Sequence, residues 1–67
     1  LNMFNKTKYD IYYSNIETLD IKVVIDNYFL VKIYKKNKIN PLKEFGPFPT
    51  LEDAFEFCNT IKLFDFA

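Results

Sequence analysis

The 67 residues carry nine lysines against nine acids, eight phenylalanines, five tyrosines, one cysteine and no histidine. A chain this short buries a small share of its surface, so its stability leans on disulfides, a metal, aromatic density or self-association. One cysteine excludes an internal disulfide, the lack of histidine excludes Ser/His and Cys/His pairs, and the lack of both histidine and a cysteine cluster excludes an ordinary zinc site.

The chain reads as one domain over 1–67, with 1–7 a flexible or edge segment; Leu1 and Asn2, which precede Met3, are set aside. Residues 8–13 alternate, with Tyr9, Ile11 and Tyr13 on one side, and predict a short strand that Ser14 and Asn15 break. Residues 19–25 predict a second strand with Leu19, Ile21, Val23 and Ile25 on one side. Phe29, Val31 and Ile33 repeat that alternation in a third. A loop of Asp26, Asn27 and Tyr28 would pair Ile25 with Phe29, Val23 with Val31 and Ile21 with Ile33, placing all six on one face. Such a loop needs one residue at positive φ, which Asn27 accepts more readily than Tyr28.

Residues 35–43 form a lysine-rich loop ending at Asn40 and Pro41, and 43–48 return as a fourth strand. Pro47 places that strand at an edge, where its missing N–H is tolerated. The helix signal is the clearest. Thr50 is an N-cap, Asp53 stands at capping-box spacing, and Glu52, Asp53 and Glu56 favour the positive end of the helix dipole, with Lys62 near the other end. Leu51, Ala54, Phe55, Cys58 and Ile61 recur at helical spacing. The expected fold class is α+β: an antiparallel sheet of three to four strands with one C-terminal helix, residues about 50–64, packed on one face.

Residues 44–58 carry a pattern in which Gly46 and Pro47 end a strand, Phe48 plugs the core, Thr50 caps the helix and Ala54 permits close approach to the sheet. With Asp53, these residues resemble the strand–turn–helix tail of SPOR domains, which bind peptidoglycan glycan strands, and of many small bacterial and phage proteins. The resemblance spans about a quarter of the chain. It implies the local structure and, as a third functional reading, a glycan-binding module.

The distribution of charge bears on function more than its sum. Lys32, Lys35, Lys36, Lys38 and Lys43 form a run with no acid, whereas Glu44, Glu52, Asp53, Glu56 and Asp65 face only Lys62. A dipolar chain without net charge argues against non-specific nucleic-acid binding, and without arginine no bidentate grip on phosphate exists. Phe, Tyr, Met, Ile, Asn and Lys, the residues of AT-rich codons, make up more than half the chain and point to an AT-rich bacterium or its phage. No apolar run is long enough to cross a bilayer, and the free cysteine fits the cytoplasm.

No catalytic, cofactor-binding or metal-ligating residue is assigned, since Ser14 falls in an expected turn and Cys58 on the apolar stripe. The first functional reading is therefore a non-enzymatic accessory or adaptor protein acting through protein–protein contacts as a homodimer. Its expected surface is Val24, Tyr28, Leu30 and Tyr34, on the sheet face away from the helix. The alternative is a single-stranded nucleic-acid module that stacks bases on Tyr28 and Tyr34 and contacts phosphates through Lys32, Lys35, Lys36 and Lys38.

Overall fold

The computed structural model describes residues 5–6, 12–16 and 20–66. Five strands follow one another in the chain among these residues: β1 (Asn5–Lys6), β2 (Tyr12–Ile16), β3 (Ile21–Ile25), β4 (Val31–Lys35) and β5 (Lys43–Phe45). They form one antiparallel sheet in the order β1-β2-β3-β4-β5. The helix α1 (Leu51–Thr60) and a 3₁₀ turn (Leu63–Phe66) complete the α+β arrangement anticipated from the sequence. The fifth strand beyond the expected four is the two-residue β1, an edge that pairs with β2 alone.

Two expectations about the strands are corrected. Ser14 and Asn15 do not break β2; they pair with Val23 and Lys22 inside it. Backbone pairing with β3 overrides the weak strand preference of two polar residues. Tyr9, Ile11 and Leu19 lie outside the described residues.

The second correction concerns the β3–β4 register. Ile25 pairs with Val31, Val23 with Ile33, and Ile21 with Lys35, two residues away from the expected alignment. The connecting loop is Asn27, Tyr28 and Phe29, closed by the Asp26 N–H donating to the Leu30 carbonyl at 3.1 Å. The Phe29 N–H donates back to the Asp26 carbonyl at 3.0 Å, and Phe29, not Asn27, takes the left-handed conformation at φ 63°. That is the pattern of a tight turn followed by a left-handed bulge residue. Cross-strand charge accounts for the choice. The expected alignment sets Lys22 opposite Lys32, a repulsive pair, whereas the observed one sets Lys22 opposite Tyr34 and Val24 opposite Lys32. A shift by two residues leaves the inward face unchanged, so the core does not oppose it.

Ile21, Val23, Ile25, Val31 and Ile33 are fully buried on one face, and Ala54 and Cys58 of α1 close over them. Each such branched side chain contributes about 1.5–3 kcal/mol when taken fully out of water. Leu51, Phe55 and Ile61 flank the contact, as the helical periodicity required. Phe57 joins α1 to the β5 side, its ring centroid 4.7 Å from that of Phe45 and 5.1 Å from that of Phe48.

Thr50 is extended at φ −138° and ψ 163°, and its Oγ1 accepts the Asp53 N–H at 3.1 Å. At the other end the Thr60 hydroxyl donates to the Phe57 carbonyl at 2.8 Å, where the Ile61 N–H also donates at 3.1 Å. Ile61 turns extended at φ −72° and ψ 141°, which ends the α-helix at Thr60, before the expected limit near 64. Lys62 consequently lies beyond the last turn.

Candidate interaction surfaces

The outer face of β3 and β4 carries Lys22, Val24, Lys32 and Tyr34, all half-buried, with no described element packed over them. Val24 stands beside Lys32, and the Lys22 ammonium sits 5.1 Å from the Tyr34 ring centroid. The face is therefore tyrosine and valine interleaved with two lysines. Leu30 is half-buried beside Asp26 at the hairpin end, whereas Tyr28 leaves the sheet at the loop tip and is 74% exposed. Of the four residues expected to form one surface, Val24 and Tyr34 share the sheet face, Leu30 borders it and Tyr28 stands off it.

Asp26 organises that end of the hairpin. Its Oδ1 accepts the N–H groups of Tyr28 at 2.9 Å and Leu30 at 3.1 Å, and its Oδ2 lies 3.2 Å from Lys32 Nζ. Burial raises the Asp26 pKa, but the two backbone N–H donors and Lys32 outweigh it and hold the carboxyl below its ordinary value. In return the Asp26 hydrogen bond keeps the Lys32 pKa above its ordinary value, against a smaller opposing effect of burial. Lys32 is thus committed within the fold. The expected lysine set divides accordingly: Lys35 follows the inward alternation of Val31 and Ile33, and Lys36 and Lys38 lie in the turn beyond β4.

That turn builds a feature the sequence reading missed. Lys35, Lys38, Ile39, Asn40, Pro41 and Leu42 line an open groove of about 440 Å³. Ile39 is 92% exposed and Leu42 49% exposed. The Lys38 N–H donates to the Lys35 carbonyl at 3.2 Å, the Leu42 N–H to the Ile33 carbonyl at 2.6 Å, and Asn37 takes φ 63°. The available signal was an isoleucine and a leucine inside a lysine-rich loop, outside every strand and helix stripe read from the sequence.

Cys58 is buried, and burial raises its thiol pKa to about 11. Only about one thiolate in 10⁴ is then present at pH 7. Native protein is expected to resist a thiol-reactive disulfide reagent at pH 7 and to react fully in denaturant. Stoichiometric labelling within the mixing time of native protein would contradict the buried placement. Among the described residues no three of His, Cys, Asp and Glu gather as metal ligands would, and no helix is long and apolar enough to cross a membrane.

Comparison with protein-family models, curated proteins and solved structures finds no match to this chain.

Proposed function

We propose that this protein is a non-enzymatic interaction module, an accessory or adaptor that works as a homodimer in a reducing, cytoplasmic setting. The observation carrying this reading is the outer face of β3 and β4. It presents Val24 and Tyr34 with Leu30 at its border, it has no described element over it, and Tyr28 projects beside it with 74% exposure. Tyrosine suits such a surface because it offers area and stiffness with one polar tip. The lysines on the face already have neighbours for their charge, Lys22 over Tyr34 and Lys32 on Asp26, which reduces the electrostatic cost of covering them.

The nucleic-acid reading receives less support from the same geometry. Tyr34 and Lys35 are consecutive strand residues directed to opposite faces, so bases stacked on the one and phosphates on the other would not share a surface.

The test is absolute molar mass by light scattering at low and high salt. The expected result is a dimer, twice the 8.0 kDa chain, that persists at high salt because its sheet-face contact is largely apolar. Tyr34→Glu is expected to give a folded monomer, since a carboxylate there can pair with Lys22 within the chain but becomes a desolvated charge in the dimer. A wild-type monomer at every concentration would overturn the homodimer.

A further inference from the structure

Two oppositely charged surfaces lie at opposite ends of the sheet and leave their charges unpaired. The Phe48 N–H donates to the Phe29 carbonyl at 3.0 Å, so α1, starting at Leu51, begins at the β3–β4 hairpin end. Its first turns present Glu52, Asp53 and Glu56, all exposed. β4 runs away from that end for five residues, and the groove over 35–42 lies beyond it. Among the described residues the one ion pair is Lys32 with Asp26; Lys35, Lys36, Lys38 and Lys43 make none, nor do Glu52, Asp53 and Glu56.

We propose that the groove over 35–42 receives the acidic face of α1 from a second copy of this chain. The pair is antiparallel and two-fold, so each copy contributes one groove and one helix. The inference rests on the self-association reading above and adds an interface separate from the sheet face, since α1 covers the opposite side of the sheet from Val24 and Tyr34.

Three observations favour this occupant. The groove combines lysines at its rim with the exposed side chains of Ile39 and Leu42, so it suits a surface that brings carboxylates and a little apolar area. Glu52 and Glu56 are four residues apart on the helix and therefore project from one side, within reach of two lysines at once. An aromatic platform, which single-stranded nucleic acid would need for stacking, is missing from the groove lining. The two-fold arrangement matters because a head-to-tail version of the same contact would propagate into an open filament, whereas the reciprocal one closes at two copies.

The experiment is sedimentation equilibrium at about 10 mM and about 1 M salt, where the range of charge interactions differs roughly tenfold. It compares the wild type, Lys35→Glu/Lys38→Glu, Glu52→Lys/Glu56→Lys, and an equimolar mixture of the two variants. Circular dichroism melts confirm that each is folded, and Asp53, whose N–H is held by the cap, is left unchanged. The expected result is association that weakens with salt in the wild type and is about tenfold weaker in each charge reversal at low salt. In the mixture it returns to near the wild-type value, because the reversed charges are complementary again. Loss in the lysine variant without recovery in the mixture would overturn the helix as occupant. A salt-insensitive dimer unaffected by either reversal would overturn this contact while leaving the sheet-face dimer intact. A wild-type monomer throughout would overturn both. Binding of an oligothymidylate in place of self-association would assign the lysines to nucleic acid and overturn the proposal.

Discussion

Gly46→Ala is expected to lose about 3 kcal/mol of stability, seen as a lower urea midpoint at unchanged slope and a melting temperature lower by roughly 10–20 °C. Gly46 sits at φ 107°, where an L side chain collides with its own backbone. Its surroundings add to that cost. A β-carbon there would lie 3.0 Å from the Phe48 nitrogen, 3.0 Å from Phe48 Cδ2 and 3.1 Å from the Phe29 carbonyl oxygen. The Phe48 nitrogen and the Phe29 oxygen are donor and acceptor of one hydrogen bond, so the methyl lands on the link between the hairpin and the approach to α1. A domain of this size is stable by only about 3–10 kcal/mol in total, which makes the loss a large fraction. A change below about 1 kcal/mol would show that this turn relaxes around a side chain, and the close approach would lose its significance.

Asp26→Ala is expected to cost about 2 kcal/mol, because it strips two backbone N–H groups of their acceptor and leaves Lys32 without its partner. Asp26→Asn separates the two roles. An amide oxygen still accepts from Tyr28 and Leu30, so Asn should lose about half as much, mainly the charge-assisted part. The pH dependence follows from the direction of the shift. A carboxyl held below its ordinary 3.8 contributes stability that is fully present above that value and lost as pH falls through the lower folded value. Lys32, held above its ordinary 10.5, contributes stability present below that value and lost as pH rises through the higher folded value. The wild-type advantage over Asp26→Asn in urea midpoint should therefore be flat from about pH 5 to 9 and shrink at lower pH. An advantage that persists undiminished at pH 2 would mean that the Asp26 charge has no part in the hairpin.

The elements that were legible from sequence are those set by periodicity and caps. Alternation of Ile21, Val23 and Ile25 with Lys22 and Val24 identifies the buried side of β3 because only one of the two sides can be taken from water. Thr50 announced the start of α1 because few residues can accept an orphan N–H while remaining extended. The β3–β4 alignment was not legible by the same means. A two-residue shift preserves every face, so hydrophobic pattern is blind to it, and the decision falls to Asp26, Lys22, Lys32 and Tyr34. Phe29 at positive φ is opposite to what a bulky residue prefers; it is held there by bonds at both its N–H and its carbonyl.

The surface residues follow the same division. Val24 and Tyr34 could be placed on the outer face from alternation, but their immediate neighbours depend on the alignment and so could not. Tyr28 was assigned to the face because its alternation matches that of Leu30 and Tyr34, but it is a loop residue in either alignment, and alternation does not direct side chains there. The groove over 35–42 depends on the path of a loop with no regular period, which is why Ile39 and Leu42 carried no message until the backbone was traced.

The sheet order repeats the chain order, β1 through β5, and α1 follows all five strands. Every strand thus meets its partner across a short connection, a topology in which ordering the chain requires little loop closure and folding is correspondingly quick. The helix is the exception. Five fully buried branched side chains wait for Ala54 and Cys58 to cover them, so a chain emerging from its N-terminus holds the sheet with an open apolar face until α1 arrives. The vulnerable species in the life of this protein is a lidless meander, and shortening the chain ahead of Thr50 would make that transient permanent and prone to aggregate.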